Sequence, residues 1–151
     1  MLLRRSFLAA SSVWALAIPL AAFAASRPAA SSAVYGFALA VYAAGRLVCH
    51  QLPERSFHLW NASLPVCARC TGIYAAAAVT AVLLRASPVA ERVKRFGGRF
   101  EPRWILLAAL APTGATLIFE WTTGVTPANW IRALAGMPLG AAVAWAIGMV
   151  N

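Results

Sequence analysis

The chain has 151 residues, of which 62% are apolar, with a mean hydropathy of +0.73 and a formal charge of +9. This composition excludes an ordinary soluble domain and places the chain among integral membrane proteins, at a length suited to one domain. Three cysteines, an odd number, exclude a fully disulfide-paired secreted scaffold.

Phe7 to Ala25 is 19 residues without a charge, close to the ~20 that cross a bilayer at 1.5 Å per residue. It predicts a first span. Arg4-Arg5 before it and Ala22-Phe23-Ala24 near its end also resemble an export signal of the twin-arginine kind with a cleavage site. Residues 1–30 are therefore a transmembrane or signal-like segment, and 31–151 a four-helix membrane domain. Ser31 to Val48 is the second span, with Arg46 near its end, where a guanidinium can reach the headgroups. The third runs to Leu84 and is expected to begin near Cys67, because Thr71 to Leu84 alone is short.

Arg85 to Arg103 is a basic connection holding Arg85, Arg92, Lys94, Arg95, Arg99 and Arg103, and reads as a solvated loop. Trp104 to Trp121 is a fourth span, with tryptophan anchors at both ends and a Pro112 that can kink it. Trp130 to Val150 is a fifth, carrying Gly136 and Gly140 at the spacing that lets membrane helices approach closely. The expected fold is an all-α polytopic transmembrane bundle of five spans, or four if the first is removed. The basic residues sit between spans and form neither a stripe nor a stacking surface, so they suit anionic lipid and topology signals and argue against nucleic acid.

Alternation of spans puts the connection 49–70 and the connection 120–132 on one face of the membrane, and the basic loop on the other. Glu120, Asn129 and Arg132 can then share a surface with the cysteine segment. Positive charge is nearly equal on the two faces, so the positive-inside rule does not orient the chain.

Residues 49–74 hold all three cysteines (Cys49, Cys67, Cys70) and both histidines (His50, His58). Cys67-Ala68-Arg69-Cys70 has the spacing with which two thiolates grip one metal, and Cys49 and His50 can complete four ligands, with zinc the first candidate. His58, Glu54 or water are the alternatives for the fourth position. The same Cys-x-x-Cys reads as a redox pair, since a helix N-terminus and Arg69 would both stabilise a thiolate. The plain alternative treats the cysteines as small buried apolar residues. Arg55, Arg69 and Arg132 can take an anionic substrate or lipid phosphate, or can simply snorkel. Glu120 is available to pair with one of them. Without aspartate no Ser-His-Asp set exists, and neither a phosphate-binding glycine loop nor a His-Glu-x-x-His motif is present.

The run Cys49-His50-Gln51, Pro53, Arg55-Ser56-Phe57, then Cys67, Arg69-Cys70 and Gly72-Ile73-Tyr74, resembles the signature of DUF2085, a bacterial and archaeal membrane family of unknown function. Asn129, Arg132, Gly136 and Gly140 resemble its second block, and the likeness covers about residues 35–147. The family's acidic position ahead of that block is usually aspartate; here Glu120 stands nearest. The resemblance implies architecture and the importance of the site, and names no reaction.

The expected protein is thus a multi-pass protein of the bacterial cytoplasmic membrane with a zinc site at Cys49, His50, Cys67 and Cys70. Arg55, Arg69, Glu120, Asn129 and Arg132 surround that site. A thiol-disulfide oxidoreductase and a small accessory subunit stapled by metal are the alternatives, and lipid and the metal ion are the expected partners.

Overall fold

A computed structural model describes residues 2–84 and 101–149. Five helices dominate them: α1 (Leu2–Ala25), α2 (Ser32–Val48), α3 (Ala68–Leu83), α4 (Pro102–Thr123) and α5 (Asn129–Met149). Arg5–Ala25 within α1, together with α4 and α5, is long and apolar enough to cross a membrane, and α2 and α3 are shorter apolar helices. At 1.5 Å per residue, α2 and α3 reach about 25 Å, somewhat under the ~30 Å hydrocarbon layer. The protein is an all-α polytopic membrane bundle. Within the basic connection, Arg85, Arg92, Lys94, Arg95 and Arg99 lie outside the described residues; Arg103 is described, exposed, and paired with Glu101 at 2.5 Å.

Side by side, α1 packs against α2 and α3, α3 against α5, and α5 against α4. The α3–α5 pair is the tightest, and glycine is the reason. A methyl group on Gly72 would collide with the backbone of Ala133, one on Gly136 with the backbone of Arg69, and one on Gly140 with that of Ile73. Dispersion between touching backbones, with no hydrophobic drive available in lipid, is what favours such small-residue seams. The Gly136/Gly140 pair therefore works within the chain. Outward faces are greasy, as lipid contact requires: Leu107, Leu110, Ile118 and Phe119 on α4 are exposed.

Between α2 and α3 the chain forms a folded cap that a reading by spans does not anticipate. A 3-10 turn (Pro53–Arg55) leads into a two-stranded antiparallel hairpin, β1 (His58–Leu59) and β2 (Ala62–Ser63), paired His58 to Ser63 and Leu59 to Ala62. Its two-residue turn, Trp60-Asn61, has φ of 52° and 65°, the doubly left-handed geometry of a type I′ hairpin. Asparagine adopts this readily and tryptophan does not. The Trp60 ring rests edge-on against Phe23 of α1, at 5.2 Å between centroids, which anchors the strained residue. Ile18 and Ala22 of α1 meet Cys49, Leu64 and Val66 in a buried cluster, so α1 forms one wall of the cap.

Candidate metal centre

The two polar segments meet at one end of the bundle. Cys49 ends α2 as its C-cap and Cys67 begins α3 as its N-cap, so both sit where a helix stops and the backbone turns. Cys67 thus starts the third helix, as its sequence suggests. The Cys67 N–H donates to the Cys49 sulfur at 3.1 Å, which ties the start of α3 to the end of α2. Cys70 follows one turn into α3. The ligand atoms of Cys49, Cys67 and Cys70 all lie within 4.8 Å of one another. A tetrahedral zinc with bonds of ~2.3 Å would bring three sulfurs to about 3.8 Å apart, a small adjustment from this arrangement.

His50, expected as the fourth ligand, stands outside this group. Its side chain is exposed where the chain leaves α2. Cys49 is extended (φ −148°, ψ 138°) and Gln51 is left-handed (φ 51°), and His50 between them lines the same cavity as the three sulfurs without joining their group. Glu54 and His58 are also exposed, on the 3-10 turn and the hairpin.

Gln51 holds that strained turn in place. Its Nε2 donates to the carbonyls of Tyr42 and Pro65, both at 2.7 Å, and Pro65 lies against Gly45, where a side chain would not fit. The Tyr42 hydroxyl donates to the Ser63 carbonyl on β2. Buried Ser56 donates to Leu52 O at 3.1 Å, and Asn129 Nδ2 donates to the Ser56 carbonyl at 3.1 Å. Asn129 therefore ties the cap to α5 and does not join the arginines. Reading by residue type misses Gln51, Tyr42 and Gly45. Only the positive φ at Gln51 reveals what the glutamine is for.

The electrostatics centre on Glu120, near the end of α4. Arg69 Nη2 donates to its Oε1 at 2.7 Å, Arg132 Nε to Oε1 at 3.1 Å, and Arg132 Nη2 to Oε2 at 3.3 Å. Arg55 Nη1 lies 4.0 Å from Oε2. The carboxylate thus faces three guanidiniums, where the sequence suggested pairing with one. Arg132 is 2% exposed and Glu120 8%, so this is a buried ion cluster, and breaking such a cluster by removing one partner costs about 3–5 kcal/mol. Arg69 also donates to Thr116 Oγ1 at 3.1 Å, and Thr113 donates to Ala135 O at 2.8 Å, linking α4 to both partners.

One cavity of about 370 Å³ joins the two clusters, its lining including Cys49, His50, Cys67 and Cys70 together with Arg55, Arg69 and Arg132. Within the triad the Cys70 thiol donates to the Cys67 sulfur and holds the Cys67 thiol down at about 5, against the upward push of burial. Contact with Cys49 and the charge of Arg132 act in the same downward direction.

Known proteins place the chain without naming a reaction. Residues 49–146 match the family described as predicted membrane protein (DUF2085). An uncharacterised protein of Methanocaldococcus jannaschii is 35% identical over 74 residues, covering 49% of this chain and 44% of the relative. One of Methanothermobacter thermautotrophicus is 55% identical over 29 residues, covering 19% of this chain and 26% of the relative. The chain spans less than half the length of these relatives, and no solved structure matches it. The matched region holds every cysteine and arginine of the cavity, both blocks of the motif and the α3–α5 seam, and the chain belongs to the DUF2085 family of membrane proteins.

Proposed function

We propose that this membrane protein holds a zinc ion at the end of its bundle through Cys49, Cys67 and Cys70. The observation that carries the reading is the convergence of three sulfurs, from the end of α2 and the start of α3, within 4.8 Å. Soft thiolates favour zinc among common cellular metals, and three protein ligands are the number that leaves a fourth position for water or substrate. His50 stands outside the group of converging sulfurs and lines the cavity beside them. A metal held there would be open to chemistry or exchange, in contrast to a closed four-ligand staple. Elemental analysis of detergent-purified wild type beside Cys67→Ser/Cys70→Ser tests this. Near-stoichiometric zinc that disappears in the double variant is the expected result; metal-free wild type would sink the reading.

One observation favours a second reading, a thiol-disulfide oxidoreductase acting through Cys67 and Cys70. Cys67 is the N-cap of a helix, its thiol is held at about 5, and Cys70 is its hydrogen-bonding neighbour, the arrangement of an attacking thiolate and its resolving thiol. Thiol counting on the same samples separates the two. A wild type with one free thiol and no metal would promote the redox reading, and three free thiols after metal removal would oppose it.

A further inference from the structure

We infer that the cavity beside the three sulfurs is a binding site for a phosphate-type oxyanion, held by Arg55, Arg69 and Arg132. Charge is the first argument. Three guanidiniums converge on the single carboxylate of Glu120, which leaves two positive charges uncompensated in a largely buried place. Zinc on three thiolates would bring one net negative charge, so a positive excess remains with the metal or without it. The inference therefore stands apart from the metal reading.

Unsatisfied donors are the second argument. Arg55 Nε, Arg69 Nε and Arg132 Nη1 are all buried and find no hydrogen-bond partner among the described residues. Buried polar groups in folded proteins are almost always satisfied, and orphans on three neighbouring guanidiniums show that this chain by itself does not satisfy the arginine cluster. All three side chains line the same cavity, and Arg132 is 2% exposed, too enclosed to snorkel to water. The bland reading of an interfacial arginine thus fails for it.

Geometry selects the class of anion. The donors come from three separate elements, the cap (Arg55), the first turn of α3 (Arg69) and the first turn of α5 (Arg132), and all three line the cavity. Glu120 already supplies the cluster with one carboxylate, and a phosphate, with acceptors around a tetrahedron and more than one negative charge, matches both the remaining donors and the remaining positive charge. About 370 Å³ exceeds the volume of a bare phosphate, leaving room for whatever the phosphate is esterified to. A lipid headgroup and a soluble phosphate share this chemistry.

Calorimetric titration of metal-stripped protein in dodecyl maltoside, with chloride as the background anion, tests the site in two arms: inorganic phosphate, and water-soluble dihexanoylphosphatidic acid. Binding in at least one arm is expected, weakened at least tenfold in Arg55→Gln and in Arg132→Gln. Bound anion should also slow alkylation of the cysteines by iodoacetate, because the sulfurs line the same cavity. Binding of the lipid analogue alone assigns the site to headgroups, and binding of inorganic phosphate assigns it to soluble phosphates. If Arg132→Gln does not fold, Arg55→Gln decides, since its side chain is 41% exposed and lies at the edge of the cluster. No binding in either arm, or undiminished binding in Arg55→Gln, overturns the inference. Failure of the zinc measurement leaves this result untouched, because the titration uses metal-free protein.

Discussion

Two stretches of the α3–α5 pair show how differently one helix contact can be used. Along the seam, Gly72, Gly136 and Gly140 strip away side chains so that backbones touch, and specificity comes from shape alone. At its polar end the same two helices carry Arg69 and Arg132, whose like charges would repel if Glu120 did not lie between them. Closeness at the seam forces closeness at the end. The contrast teaches that the charged cluster depends on the apolar seam, because backbones held this tightly leave the two guanidiniums nowhere else to go.

The comparison breaks most completely at the seam. Gly140→Leu would place a side chain where the Ile73 backbone lies, and Gly136→Leu where that of Arg69 lies. Overpacking commonly costs about 1–3 kcal/mol, and more where backbone must move. Loss of a cooperative thermal transition in detergent is expected, together with loss of the zinc that the proposed site would hold. At the polar end Glu120→Gln should cost about 3–5 kcal/mol, since it leaves buried guanidiniums without a counter-charge. Thermal unfolding beside Glu120→Asp checks this, and a fall no larger than that of a surface substitution would show that the cluster is well hydrated.

Smaller effects sharpen the contrast. Arg55→Gln should change stability by less than about 1 kcal/mol, because its ion pair with Glu120 is long and half-exposed. Its effect on anion binding should nevertheless be large, which would separate the fold's need for the cluster from the ligand's. The smallest change concerns pH. With its folded-state pKa lowered to about 5, the Cys67 thiol is ionised above that value. Iodoacetamide should therefore modify one thiol of metal-free protein at nearly constant rate from pH 6 to 8, and more slowly as pH falls through 5. Cys70→Ala removes the stabilising donor and should move that midpoint upward, toward the ordinary thiol range. Peptide mapping of the alkylated protein identifies the site, and a midpoint unchanged in the variant would count against Cys70 as the cause.

Much of the architecture was legible without coordinates because hydropathy is a local property. A helix that must satisfy its own backbone in lipid declares itself by apolar length, so the five helices among the described residues fall where the apolar runs do. The start of α3 at Cys67 was legible for the same reason, since the span was too short otherwise. Concentration of donors in residues 49–74 marked the site before any distance was known. The position of His50 is not legible in sequence, because adjacency to Cys49 says nothing about direction: His50 lines the cavity of the sulfurs but lies outside their group. The hairpin went unseen because four strand residues around Trp60-Asn61 carry too little alternation to register as strands.

Composition and periodicity by themselves determined that this chain lives in a membrane, where its helices run, and that cysteine, histidine and arginine gather between them. Only the tertiary structure decided that three sulfurs converge, that Gly72, Gly136 and Gly140 bind two helices within one chain, and that one glutamate gathers three arginines beside a cavity shared with the sulfurs. The physical reason is the range of the forces involved. Transfer into lipid acts residue by residue along the chain. Coordination, backbone contact and charge pairing act over a few ångströms in space, between segments as far apart in sequence as Arg69 and Glu120.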